Sequence, residues 1–480
     1  MEVMSPQQLF TSSPYDEVSI NLNELNSIDL SYQELTSLSK NCFIGLTNLK
    51  SIDLSENELT SIDSSAFNGL YNLVQIDLSC NKLITLDSKL FKGLTNLMEL
   101  HLNDNKLITI DSALFKDLIN LNHISLFNNQ IEYFNSQLFQ NCAKLTQIYL
   151  NDNKFTSIDP RLFAGLTNLT EIGLLNNNLV YIDQKLFNGL TNLTEIGLFN
   201  TQLTQVDPML FHGLISLNKI GLGANYLTQI DANLFTGLKN LTEIYLNDNQ
   251  IESLDSNLFK GLHSLTEIGL WNNKISWISP NTFDGLTKLA KIWLSKNKLK
   301  NLDSKLFRGL TSLTKIGLGI NQLTSIDRNL FHMLKNLTFI NLSENELTSI
   351  PRDTFKGLVN LTEIWLWNNQ LTFISPGLFE GLVKLTHIDL SGNLLTNLNS
   401  NLFNRLFNLT HISLDNNRLN TIDAKLFQGL FNLSTIKLHH NKQISCSDRL
   451  ELFIEKNVKF VSFKRGKDDN DIHFVVSQVT

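Results

Sequence analysis

The chain has 480 residues, a formal net charge of −7 at neutral pH and a sequence pI near 5.8. That acidic balance gives no general attraction to nucleic-acid phosphate or anionic lipid, so neither is expected as a partner. No apolar run approaches the roughly 18 residues needed to span a bilayer, and Cys42, Cys80, Cys142 and Cys446 are too scattered for a disulfide framework.

Residues 1–24 read as an N-terminal segment that is polar at first, with Pro6 and Pro14, and closes on a capping strand. It shows no basic stretch followed by an apolar run, the mark of a secretory leader. The expected compartment is cytoplasmic if this is the native start, and extracellular or cell-surface if a leader precedes it. Val18, Ile20 and Leu22 alternate with polar residues, as in a half-buried strand that closes the apolar end of a stacked core.

From Leu25 the chain repeats. Leucine recurs every 24 residues to Leu433 with no insertion or deletion, giving eighteen units over residues 25–446, the last one partial. The stretch from Leu265 to Lys288, LTEIGLWNNKISWISPNTFDGLTK, displays the frame LxxIxLxxNxIxxIxxxxFxGLxx. A period of this length signals a solenoid, in which one unit cannot bury its apolar face alone and stacking creates a continuous core, so a single elongated domain is expected.

Each unit opens with a short strand. Alternation turns Leu265, Ile268 and Leu270 inward and Glu267, Gly269 and Trp271 outward, and successive strands stack in parallel at about 4.8 Å. Asparagine follows at 57 and every 24 residues to 441, with Thr201 as the exception. A buried turn leaves backbone N–H and C=O groups without water, and an amide side chain offers both a donor and an acceptor to satisfy them. Phenylalanine holds position 43 and every 24th residue to 427, which reads as a buried spine on the return side. Asp or Ser before it and Gly after it, as in DSKLFKGL at 87–94, leave room for one or two helical turns. Residues 447–480 leave the frame: LELFIEK reads as a short helix, and VKFVSF and IHFVVSQV read as two strands that cap the last unit as a hairpin.

The frame, with its Phe before Gly-Leu, resembles the typical 24-residue subtype of the leucine-rich repeat family, including receptor ectodomains and adhesion proteins, over residues 25–446. The resemblance implies an α/β solenoid: a curved horseshoe with a parallel β-sheet on the concave face and short helical turns or loops on the convex face. It also implies a non-catalytic module that engages a protein or peptide partner on the concave face. The alternative is a structural or adhesive array acting through self-association or its convex surface. Extracellular relatives carry clustered cysteines in their caps; only Cys446 is similar, and it lacks the partners. Cys142 stands where other units have Leu and reads as a small core residue. N-x-S/T sequons occur at Asn168, Asn192, Asn240, Asn336, Asn341, Asn360, Asn408 and Asn432. All but Asn341 fall at one repeat position, so they read as by-products of the scaffold.

Trp271, Trp293, Trp365 and Trp367 occupy outward strand positions, with Phe199, Tyr245 and Phe339 on the same face. Such rings can cover glycines at the middle strand position, among them Gly269 and Gly317. An aromatic strip rimmed by charge is also what a protein-binding hot spot requires. The charged column beside it runs Glu171, Glu195, Lys219, Glu243, Glu267, Lys291, Lys315 and Glu363, where opposite neighbours pair across strands or set a partner's register. The aromatic residues with Glu243, Glu267, Lys291, Lys315 and Glu363 form the candidate binding set. His387, His411 and His439 on successive strands are the nearest approach to a zinc site, but they lack a short ligand spacing, and no metal or cofactor is expected. No nucleophile elbow, phosphate loop, dinucleotide fingerprint or metalloprotease helix appears, so no catalytic residue is assigned and an enzyme is not expected.

Overall fold

The computed structural model describes residues 24–441 and the backbone of two further strands, Ser462–Arg465 and Ile472–Val475. The capping strand expected from Val18 to Leu22, the helix expected at 450–456 and Cys446 lie outside the described residues. Two compact units are distinguished, Met1–Leu241 and Thr242–Thr480.

Each unit is a parallel-strand solenoid. In the first, three-residue strands run from Ser27–Asp29 and Ser51–Asp53 through to Glu195–Gly197 and Lys219–Gly221, each after the first paired within this unit in register with the one 24 residues before it, as in Ile52↔Ile76 and Glu195↔Lys219. In the second, Glu243–Tyr245, Glu267–Gly269, Lys291–Trp293, Lys315–Gly317, Phe339–Asn341, Glu363–Trp365, His387–Asp389, His411–Ser413 and Thr435–Lys437 pair in the same way. Beyond them, Ser462–Arg465 and Ile472–Val475 pair antiparallel, and Val475 pairs with Thr435. The inward positions are filled as alternation requires: Leu265, Ile268 and Leu270 are fully buried.

Within each unit three hydrogen-bond ladders bind one 24-residue repeat to the next. The first belongs to the turn asparagines. Asn273 Oδ1 accepts from Ile251 N–H at 3.0 Å, while Nδ2 donates to Leu246 O at 2.9 Å in the preceding unit and to Leu270 O at 3.1 Å in its own. At the exception, buried Thr201 gives its hydroxyl to Leu198 O and Asn225 Oδ1 and does not reach back to the unit before. The other two ladders run through the sequon position shared by all but Asn341. Asn360, Asn408 and Asn432 donate from Nδ2 to the carbonyls of Lys335, Val383 and Phe407 at 2.8–2.9 Å. Thr338, Thr362 and Thr410 donate their hydroxyls to the carbonyls of Thr314, Thr338 and Thr386 at 2.9–3.0 Å. The recurring NLT is thus written by two structural bonds per unit.

The return segments carry the phenylalanine spine, with Phe307, Phe331, Phe355 and Phe379 stacked in sequence at centroid distances of 6.1–6.5 Å. The segments are turns: no α-helix occurs among the described residues. Asp87 Oδ1 accepts from Lys89 N–H, then Leu90 N–H bonds Asp87 O and Leu94 N–H bonds Phe91 O, spacings of three residues that tighten the chain before Gly93 at φ +79° reverses it. The stretch between Asp87 and Gly93 is too short for the four-residue hydrogen bonds of an α-helix to propagate. At Ala424–Phe427 the same path closes into a 3₁₀-helix capped by Asp423. Cys142 is a buried core residue as expected; with Cys42 and Cys80 it is a free thiol, and burial pushes its pKa up to about 12.

Candidate functional site

The outward face of the sheet in the unit Thr242–Thr480 gathers five of the sequence-nominated rings into two sets. Tyr245 and Trp271 meet edge to face at 6.3 Å. Trp293 lies 6.4 Å from Phe339, two strands away, and Phe339 meets Trp365 edge to face at 4.9 Å. Trp271, Trp293, Trp365 and Trp367 are half-buried. Phe199 is also half-buried and belongs to the unit Met1–Leu241.

Glycine makes these positions possible. A Cβ added at Gly269 would lie 2.5 Å from Trp271 Cζ3 and 2.8 Å from Tyr245 Cδ1, and one at Gly317 would lie 2.7 Å from Trp293 Cε3. The rings therefore pack over bare backbone and remain half-buried, so covering glycine and presenting a surface are compatible roles.

The charged column behaves partly as a ladder. Lys291 Nζ bonds Glu267 Oε2 at 2.8 Å, which raises the lysine pKa, and Lys219 pairs with Glu195 at 3.1 Å. Glu267 also accepts from Trp293 Nε1 at 2.8 Å, locking the indole across two strands. Tyr245 OH donates to Glu243 at 3.0 Å. Lys315 and Glu363 make no ion pair among the described residues.

Between Trp271 and Trp293 an open cleft of about 370 Å³ is lined by Asp248, Glu267, Lys296 and Ile320. Ile320 was not singled out from the sequence. It occupies the repeat position that takes left-handed backbone throughout: Asp248, Asn272, Lys296, Ile320, Glu344 and Asn368 all have φ between +49° and +56°. Asn and Asp tolerate that conformation, whereas a β-branched residue there is an outlier whose cost is about 1–2 kcal/mol. Ile320 is also 37% exposed. The available signal was that this column holds no other β-branched residue.

The unit Met1–Leu241 carries a second group on its outward face, also missed. His101 and His123 rings lie 5.1 Å apart, His123 lies 5.3 Å from Tyr149, and Tyr149 OH donates to Glu171 at 2.8 Å. Burial and Glu171 push the Tyr149 pKa up to about 12. Of the zinc candidates, His387 and His411 stack face to face at 4.3 Å, while His439 Nε2 lies 3.3 Å from Asp415 Oδ2. Among the described residues no three His, Cys, Asp or Glu side chains converge on a point where a metal ion would bind.

Comparison with known proteins places this scaffold. Residues 85–218, 204–338 and 324–447 match the BspA type Leucine rich repeat region (6 copies), and residues 16–59 and 47–107 match a further leucine rich repeat description. The chain belongs to the leucine-rich repeat family. That family is known for protein–protein recognition, and its members are typically non-enzymatic binding scaffolds. No curated protein sequence matches the chain. Similar solved structures include a leucine-rich repeat protein of Leptospira interrogans, 24% identical over 82% of this chain and 96% of that one, with a TM-score of 0.61. A chain of the Drosophila Toll–Spatzle complex is 22% identical over 88% of this chain and 60% of that one, with a TM-score of 0.71. A chain of the TLR13–ssRNA13 complex is 20% identical over 89% of each, with a TM-score of 0.56. At these identities the likeness concerns the fold. No described helix is long and apolar enough to cross a membrane.

Proposed function

We propose that the chain is a non-catalytic recognition protein that binds a protein or peptide partner on the outward sheet face of the unit Thr242–Thr480. The observation that carries this is the continuous contact of Trp293, Phe339 and Trp365. Half-buried rings held in place by Glu267 and by bare glycine backbone are pre-organised, so little side-chain entropy is lost when a partner covers them. Of the similar structures, one is a complex with the protein Spatzle and another a complex with single-stranded RNA. The net charge of −7 favours the first kind of partner for this chain. The pairing of Thr435 with Val475 supports 447–480 as a cap on the repeat array 25–446.

The test is to pan a random peptide library on the full chain and measure the selected binders by calorimetry against variants. Trp365→Ala should weaken binding about thirtyfold, or 2 kcal/mol, whereas Lys260→Ala, exposed on a return segment, should leave it unchanged. Binding that survives Trp293→Ala and Trp365→Ala but is lost on return-segment changes would refute the assignment.

A second reading, self-association through a flank, has its own observation. Val359, Val383, Phe407 and Phe431 are exposed at one repeat position in successive repeats. Sedimentation over a range of concentrations separates the two, since a flank dimer would dissociate on dilution and with Phe407→Ser.

A further inference from the structure

We infer that the cleft between Trp271 and Trp293 is a socket for one aromatic side chain of the partner, and that this side chain has a carboxylate neighbour in its own sequence. The inference rests on the recognition role proposed above and names the chemistry of the segment that docks.

The walls are apolar and held in place. Trp271 lies on Gly269, and Trp293 lies on Gly317 with its Nε1 tied to Glu267 Oε1 at 2.8 Å. Ile320 closes the side towards the next strand, exposed and in left-handed backbone at φ +56°. Strain kept at a surface position points to a demand that the fold itself does not make. Asn, the residue two repeats to either side at Asn272 and Asn368, would satisfy the backbone but not build an apolar wall. A cleft of about 370 Å³ is at the small end for a ligand site and suits a single large side chain.

The charges select the neighbour. Both carboxylates at the cleft are already engaged: Glu267 by Lys291 Nζ and Trp293 Nε1, and Asp248 by the amides of Asn247 and Asn272 at 2.6 Å. Lys296 has no acidic partner among the described residues, and Lys315 on the adjoining strand has none either. The amides on Asp248 are neutral and leave its charge in place, but they occupy its acceptor oxygens; what the rim leaves open are the ammonium donors of Lys296 and Lys315, so the incoming segment supplies a carboxylate acceptor beside its ring.

The experiment uses the full chain. Peptides selected from the random library are sequenced, and a blocked Phe-Asp dipeptide is titrated while indole emission is followed. Selected peptides should be enriched in an aromatic residue next to Asp or Glu. Ile320→Asn should raise the melting temperature by relieving the backbone yet weaken peptide binding about tenfold, and Lys296→Gln should weaken acidic peptides more than their amide counterparts. If Trp365→Ala or Trp367→Ala abolishes binding while Trp271→Ala, Ile320→Asn and Lys296→Gln do not, the socket is wrong and the recognition face stands. If no substitution on the face matters, both fall. If maltohexaose quenches the indoles and Ile320→Asn removes that response while peptides are silent, the cleft is a saccharide site and the peptide assignment is overturned.

Discussion

Asn297→Ala and Thr201→Asn act on the same kind of rung in the turn ladder and should move stability in opposite directions. Asn297 Oδ1 takes the Ile275 N–H at 3.0 Å, and its Nδ2 supplies Leu270 O and Leu294 O at 3.0 and 3.1 Å. Alanine leaves the buried Ile275 N–H without its acceptor, while Leu270 O and Leu294 O each keep one donor, the Nδ2 of Asn273 at 3.1 Å and of Asn321 at 3.0 Å. At 1–3 kcal/mol for a buried group left unsatisfied, the lost Ile275 acceptor sets the cost at about 1–3 kcal/mol. Thr201 already lacks the bonds that an asparagine makes to the unit before it. Asparagine there should add about 1 kcal/mol. Urea denaturation measures both, provided the m-value is unchanged. Hydrogen exchange locates the effect: Ile275 and its neighbours should lose protection first, because each repeat contacts only the next. A cost for Asn297→Ala below about 0.5 kcal/mol, the range of an ordinary surface change, or a destabilising Thr201→Asn, would refute the reading of the ladder as a buried hydrogen-bond relay.

Thr282 and Thr354 replace the Leu that precedes Phe in most other units, and their buried hydroxyls have no hydrogen-bond partner. Thr→Val at either position keeps the volume and should stabilise by about 1 kcal/mol; a lower denaturation midpoint would contradict this. Gly221→Ala meets nothing closer than a backbone oxygen at 3.9 Å and should stabilise by about 0.4–1 kcal/mol. Gly269→Ala, at the same repeat position, must tilt the Trp271 and Tyr245 rings away, losing an aromatic contact of about 0.5–1.5 kcal/mol and shifting indole emission. Equal behaviour of the two would exclude a steric role for the rings. Burial first, then His387 and Lys437, hold His411 below its ordinary pKa of 6.5; burial first, then His123, do the same for His101 against the pull of Asp77, Glu99 and Asp53. Both imidazoles take a proton more readily when unfolded, so their contribution is complete above pH 6.5 and is lost as pH falls from there toward the folded values. Melting temperatures should drop from about pH 7.5 to 5.5, and less so in His101→Gln/His411→Gln; an unaltered slope in the double variant would refute the assignment.

The inward Leu and Ile, the turn Asn and the spine Phe were all legible because each performs a task that recurs every 24 residues, and a repeated task leaves a fixed residue. The hydroxyl and amide ladders of the NLT positions left the same trace, although a sequence motif for glycosylation uses the same letters. Of the helical turns or loops expected on the return side, tight turns with almost no helix are what form, for a local reason: Asp and Gly do cap both ends, but the short stretch between them favours bonds to the third residue. The aromatic face was legible as a list and not as a surface. Spacing places Trp271 and Trp293 on adjacent strands, yet they join different sets, because Trp271 folds back over Gly269 towards Tyr245 while Trp293 lies across Gly317 and reaches Phe339. Which way a ring leans depends on where the backbone is bare and which carboxylate holds its N–H, and neither can be read from the period alone.

Ile320 shows what the contrast between fixed and varying positions conceals. The repeat position it occupies varies freely in chemistry, from Asp248 to Lys296 to Glu344, but not in conformation, since every described member is left-handed. Variation there is therefore bounded by backbone energy, and residues with short polar side chains satisfy the bound at least cost. A β-branched residue breaks it. The departure occurs beside two tryptophans and a lysine without an acidic partner among the described residues, on the outward sheet face that carries Trp293, Phe339 and Trp365. A selective surface on a repeat scaffold is found by asking which varying residues the local backbone would not have chosen, and in this chain that question leads to the Trp271–Trp293 cleft.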